Sequence, residues 1–139
     1  VQVKKALRII IFEDDPSLTK LLFLTLTKAG HSVQTFNDPT ACPVYKDHEK
    51  ECPKDKACAD VIITDLMMPN MTGIDFLLLQ RERGCKAQDH NKALISGAAL
   101  TEETKRTINE LGCKFFKKPF KISELIDWVN ECVKRVQPF

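Results

Sequence analysis

ADVIITDLMMPNMTG, residues 59–73, is an apolar run of strand length that ends on a lone aspartate, Asp65, and turns at once into Pro69. A carboxylate at the edge of a core is costly unless something pairs with it. The residues that end the other apolar runs therefore decide what this segment is for.

Working outward, strand-like and helix-like segments alternate along all 139 residues. LRIIIF (7–12) is a continuous, isoleucine-rich run and reads as a buried strand. In the helix that follows, Asp15 suits the N-cap, Pro16 the first turn and Gly30 the residue beyond the end. SVQTF (32–36) is a second strand, and DVIITD (60–65) the third. Residues 72–84 form a helix with Ile74, Leu77 and Leu78 on one face. KALIS (92–96) is a fourth strand, 101–112 a helix capped by Thr101, and CKFFKK (113–118) a fifth strand. The last helix, 121–136, places Ile122, Leu125, Val129, Cys132 or Val133, and Val136 at helical spacing. Residues 37–58, with Pro39, Pro43 and Pro53, lack such a pattern. Five strands alternating with helices predict right-handed crossovers and an α/β, doubly wound parallel sheet covered on both faces. The length suits one domain, 1–139, with 37–58 as an irregular, insertion-like segment.

In such sheets ligands sit beyond the carboxyl ends of the strands. Those ends carry Glu13 and Asp14 (strand one), Asp65 (strand three), Ser96 (strand four) and Lys118 (strand five). Three carboxylates in one pocket repel unless a cation intervenes, and magnesium suits a shallow site of oxygen ligands. A carboxylate nucleophile, a metal, an ammonium and a hydroxyl are what phosphoryl transfer to an aspartate requires. Each residue alone has a plainer reading. Asp65 could cap the next segment, Glu13 and Asp14 could be helix-start acids, and Ser96 and Lys118 could be loop residues. Phe115 and Phe116 could simply be core. Convergence of four strand ends on one edge favours the site.

The pieces IIIFEDDP, VIITDLMMPNMTG, ALISG and FFKKPF, in that order, resemble the receiver domain of two-component response regulators. The resemblance covers nearly the whole chain except 37–58. It implies the flavodoxin-like strand order 2-1-3-4-5 and makes Asp65 the phosphoacceptor. Glu13, Asp14, Asp65 and the backbone carbonyl of Met67 become Mg2+ ligands. Ser96 and Lys118 contact the phosphoryl group, Ser96 and Phe115 form the switch, and the Lys118–Pro119 bond is expected to be cis. A sensor histidine kinase or phosphotransfer protein would be the donor. The readout would come through the face formed by helix 101–112, strand 113–118 and helix 121–136, towards an output domain or partner protein, or through a phosphorylation-dependent homodimer. On this reading the domain is a bacterial, cytoplasmic signalling switch that catalyses only its own aspartyl phosphorylation and dephosphorylation.

Other classes fit less well. No GxxxxGK[ST] is present for a P-loop, and the position two residues after Asp65 is Met67 rather than the second acid an aspartyl-phosphate hydrolase uses. The acids after strand one would repel the phosphate of a flavin. No apolar run approaches the roughly 20 residues of a membrane span, and VQVKKALRIII reads as a strand rather than a signal peptide. The net charge of +2 gives no argument for nucleic acid. The basic last third (Lys105, Arg106, Lys114, Lys117, Lys121, Lys134, Arg135) reads as a solvated face or a surface for an acidic protein ahead of direct nucleic-acid binding. The departure from the family is NDPTACPVYKDHEKECPKDKACA. Its Cys42, His48, Cys52 and Cys58 leave three readings open: structural thiols, a metal or iron–sulfur site, or a disulfide. The functional alternative is a protein-interaction module regulated by redox or metal binding there. Cys113 and Cys132 suit core thiols.

Overall fold

The computed structural model describes residues 6–47, 49–69 and 71–136. Its strands are β1 (Arg8–Phe12), β2 (Ser32–Phe36), β3 (Val61–Asp65), β4 (Lys92–Ser96) and β5 (Lys114–Lys117). They are joined by α1 (Pro16–Lys28), a one-turn α2 (Pro43–Lys46), α3 (Gly73–Glu82), α4 (Glu102–Leu111) and α5 (Ile122–Arg135). All pairings are parallel and the order is β2-β1-β3-β4-β5, the doubly wound arrangement expected.

The period-two alternation of each strand divides the core. Ile9, Ile11, Val61, Ile63, Ala93, Ile95 and Phe116 point to one face, where α1 (Leu22, Leu26) and α5 (Leu125, Trp128, Val129, Cys132) cover them. Ile62 and Phe12 point to the other face, against Phe76 of α3. Leu94 joins Leu77 of α3 and Ile108 and Leu111 of α4. Because β3 and β4 are buried at every position, their sequences carry no polar-out residues. Trp128 stands edge-on to Phe116, with centroids 5.9 Å apart. The stripe on α3 is shifted from the Ile74–Leu77–Leu78 face: Phe76, Leu77 and Gln80 are the fully buried members. The reason is that α3 packs into two neighbouring clusters, one on each side of the helix.

The described residues between β2 and β3 are largely irregular, as the prolines predict, with one short 3₁₀ turn (Pro39–Ala41) and the single turn of α2. Asp38 caps the 3₁₀ turn by accepting the Thr40 N–H at 3.0 Å. The Cys52 N–H donates to the Arg83 carbonyl at 2.6 Å, which ties the segment to the end of α3. Val44 and the side of Tyr45 complete its apolar underside.

Gly73 opens α3 where no side chain fits. Its N–H donates to the Leu66 carbonyl at 2.7 Å. A Cβ there would collide with the carbonyl oxygen of Asp65 and lie 2.9 Å from Leu94 Cδ2. The backbone atom in the way cannot move without displacing Asp65. Gly73→Ala is therefore expected to lower stability by about 2 kcal/mol, the usual range of overpacking, despite the better helix propensity of alanine. Urea unfolding with an unchanged slope and a lower midpoint would show this; a wild-type midpoint would refute it.

Candidate functional site

Four strand ends meet at one edge of the sheet. Glu13 follows β1 and is held in line by its N–H, which donates to the Phe36 carbonyl of β2 at 2.9 Å. Its side chain is 1% exposed. Glu13 Oε2 accepts the N–H groups of Asp14 (2.9 Å) and Asp15 (3.3 Å), while Oε1 accepts from Lys118 Nζ at 2.8 Å. Asp65, at the end of β3, is 7% exposed. It accepts the Met67 N–H at 3.3 Å and lies 3.5 Å from Lys118 Nζ through Oδ2. Asp14 is exposed. Oxygens of Glu13, Asp14 and Asp65 lie within 4.8 Å of one another, and among the described residues this is the one group of its kind.

Asp65, the carboxylate at the edge of the core, is paired here. A single ammonium sits between two nearly buried carboxylates. Burial alone would lower the Lys118 pKa, but the hydrogen bond to Glu13 and the charges of Asp65 and Glu13 outweigh it and hold the pKa above the ordinary lysine value. Lys118 is positioned by its backbone, whose N–H donates to the Ser96 carbonyl at 2.8 Å, and by a cis bond to Pro119. Ser96, at the end of β4, is 1% exposed and its hydroxyl oxygen accepts the Ala98 N–H at 3.0 Å. Phe115 lies opposite Leu94 in the β4–β5 ladder, half-buried beside Leu100 and the α4 cluster. Met67 is exposed, at 62%.

The structure thus brings Glu13, Asp14, Asp65, Ser96 and Lys118 to one sheet edge, with Phe115 one strand-width away. Two features were not foreseen. The direct Lys118–Glu13 pair is one, since sequence reading separates a metal ligand from a phosphoryl-contacting lysine. The role of Gly73 is the other, and its only sequence signal is the Thr-Gly pair at a helix start, where Thr72 caps the helix by accepting the Asp75 N–H.

Of the three readings of the cysteine segment, structural thiols agree with the geometry. Cys42, Cys52 and Cys58 are free thiols, and no three His, Cys, Asp or Glu ligand atoms gather there among the described residues. His48 lies outside the described residues. Burial raises the pKa of both Cys42 and Cys58 above the thiol norm. The thiols line an apolar space instead of converging on a point, so an interaction module governed by metal or redox chemistry at this segment is not supported. Cys132 is fully buried and Cys113 half-buried, and burial lifts both pKa values to about 11. Because the thiolate is the nucleophile, iodoacetamide at pH 8 should leave Cys132 unmodified in the folded protein and label it after denaturation. Peptide mass spectrometry of the two samples checks this; equal labelling would refute it.

Among the described residues, no helix is long and apolar enough to cross a membrane. Several known proteins resemble this chain. The alkaline phosphatase synthesis transcriptional regulatory protein SphR of Synechococcus elongatus is 27% identical over 135 residues, 95% of this chain and 51% of SphR. The two-component response regulator ARR11 of Arabidopsis thaliana is 26% identical over 94% of this chain and 23% of its own length. The chain therefore spans about half or less of these relatives. In fold it is similar to the receiver domain of the Francisella response regulator 1452, with a TM-score of 0.74 at 23% identity, covering 94% of this chain and 99% of that one. It is likewise similar to the receiver domain of sensor histidine kinase PA1611 from Pseudomonas aeruginosa, whose active site cleft coordinates a magnesium ion, with a TM-score of 0.68 at 18% identity over 94% and 99% of the two chains. The model of the response regulator receiver domain matches residues 9–130, and with the sheet order and the acidic strand ends this chain belongs to that family of phosphoacceptor signalling switches.

Proposed function

We propose that Asp65 is the phosphoacceptor of this receiver domain. The observation that carries the reading is the meeting of Glu13, Asp14 and Asp65 oxygens within 4.8 Å, with Lys118 Nζ 3.5 Å from Asp65. A carboxylate oxygen of Asp65 attacks phosphorus in line; the new O–P bond forms as the bond to the donor's leaving group breaks. Lys118, already placed by its backbone bond to Ser96, turns its ammonium to the incoming oxygens. The Ser96 hydroxyl donates to one of them, and the space it leaves is taken by Phe115. The surface of α4, β5 and α5 is reshaped as a two-state equilibrium biased by local charge.

The acidic trio suits Mg2+, because it offers only hard oxygen donors with partial exposure. Glu13, Asp14, Asp65 and the carbonyl of Met67 would hold the ion. When bound, it supplies positive charge against the oxygens of the transferred group. The domain comprises residues 1–139 with 37–58 as an irregular segment, and it catalyses only its own phosphorylation and dephosphorylation. The phosphoryl source is a sensor histidine kinase or phosphotransfer protein in a bacterial cytoplasm. The readout passes to an output domain, a partner protein or a second copy.

Intact mass after incubation with magnesium and acetyl phosphate tests the reading. One added phosphoryl group is expected, lost when EDTA replaces magnesium. No gain in folded, magnesium-saturated protein would refute it.

A further inference from the structure

The face of the sheet covered by residues 41–44 and 52–58 holds a cavity of about 200 Å³. Phe12, Phe36, Val44, Ile62 and Ala87 form its apolar walls. Cys42, Cys52, Cys58 and Cys85 add four thiols, side chains that pack as small hydrophobes, and burial raises the pKa of Cys42 and Cys58. A dry apolar cavity of about 150 Å³ is already large enough to take benzene. This one admits a substituted ring.

One side chain in it is polar and buried. Gln80, 2% exposed, lines the cavity from α3. Its Oε1 accepts from Lys92 Nζ at 3.0 Å. Lys92 is itself fully buried and is paired on its other side with Asp89 at 3.4 Å. An ammonium can face only the carbonyl end of the amide, so the orientation of Gln80 is settled and its NH₂ is the end left for the cavity side. That NH₂ donates to the sulfur of Cys42 at 3.7 Å, a weak acceptor. The Lys92 charge polarises the amide and strengthens it as a donor. Gln34 and Lys54, both exposed, also line it.

We propose that this cavity binds a small, uncharged, largely apolar molecule of substituted-benzene size bearing one hydrogen-bond acceptor, to which the Gln80 Nε2–H donates. The site is separate from phosphoryl transfer but adjoins it. Phe12 precedes Glu13, and the Phe36 carbonyl accepts the Glu13 N–H. The proposal does not depend on which residue is phosphorylated.

Acetophenone and α-methylstyrene are the probes, matched in shape and differing in the acceptor, a C=O in one and a C=CH₂ in the other. Titrating each into the ¹⁵N-labelled chain, both should give saturable shifts at the amides of Phe36, Val44 and Ala87. Acetophenone should bind about fivefold more tightly, the size of one net hydrogen bond. Ala87→Leu, which fills the cavity, should abolish binding of both. Gln80→Glu keeps an acceptor for Lys92 but presents no amide donor, and should erase the preference for the ketone. Far-ultraviolet circular dichroism of each variant reports that it is folded. Absence of saturable shifts with both probes, equal affinity of the two for the wild type, or ketone binding unchanged in a folded Ala87→Leu protein would each overturn the proposal.

Discussion

Asp65→Asn is expected to remove the mass gain of a phosphoryl group altogether while leaving the protein folded. The amide has nearly the same shape, and its oxygen can still accept the Met67 N–H that Asp65 accepts at 3.3 Å. It has no charge and no lone pair basic enough to attack phosphorus. Lys118 keeps its shorter partner, Glu13 at 2.8 Å, so the ammonium is not orphaned. The pocket loses one of three crowded negative charges, which relieves repulsion. The unfolding midpoint should therefore stay at or above the wild-type value. Magnesium affinity, read by titration calorimetry, should fall because one of three carboxylates is gone. A full phosphoryl gain in the variant would place the acceptor elsewhere.

Lys118→Ala is expected to act on both rate and stability. The ammonium is the one fixed positive charge that the described residues set between Glu13 and Asp65. Removing a preorganised charge of this kind from the developing phosphoryl oxygens should slow acetyl phosphate-dependent phosphorylation by about 10²- to 10³-fold. The same change strips Glu13, 1% exposed, of its cation. The two backbone N–H groups on Oε2 remain and soften the loss, so a cost of about 2 kcal/mol is expected. Magnesium should recover more stability in the variant than in the wild type, because it supplies the missing positive charge; the comparison is a pair of thermal melts with and without the ion. The pH dependence has a definite sign. The folded pKa of Lys118 is raised, so its contribution is complete below the ordinary lysine value of about 10.4 and is lost as pH rises through the folded value. The gap between wild type and variant should be constant through neutral pH and narrow only in strong alkali. A gap that widens there would contradict the pairing.

The strand boundaries were legible because short runs rich in β-branched and large apolar residues, set between helical patterns, have few other uses. SVQTF and KALIS match β2 and β4 end for end, β1 and β3 start one residue later than expected, and β5 is one residue shorter at each end. The site residues were legible for a related reason. In a parallel sheet every strand points its carboxyl end to one edge, so Glu13, Asp65, Ser96 and Lys118 meet by topology before any side chain is placed. Residues 37–58 were legible only as an absence of pattern. Spacing along the chain says nothing about whether Cys42, Cys52 and Cys58 converge, and they are arranged around a space together with Cys85, which lies beyond β3 and α3.

What the sequence alone determined about this protein is the order of its elements, the edge at which its acids and lysine collect, and the receiver family those residues mark. Tertiary structure alone decided three things. Lys118 closes on Glu13, because a buried carboxylate takes the nearest cation whichever strand brings it. Gly73 is held free of a side chain, because the Asp65 carbonyl lies where a Cβ would stand. Lys92, at the start of a strand, is fully buried on Gln80 and Asp89, because only the packed α3 and the turn before β4 supply the partners that make its burial tolerable. Such pairings depend on distances between residues far apart in the chain, and local pattern carries no information about them.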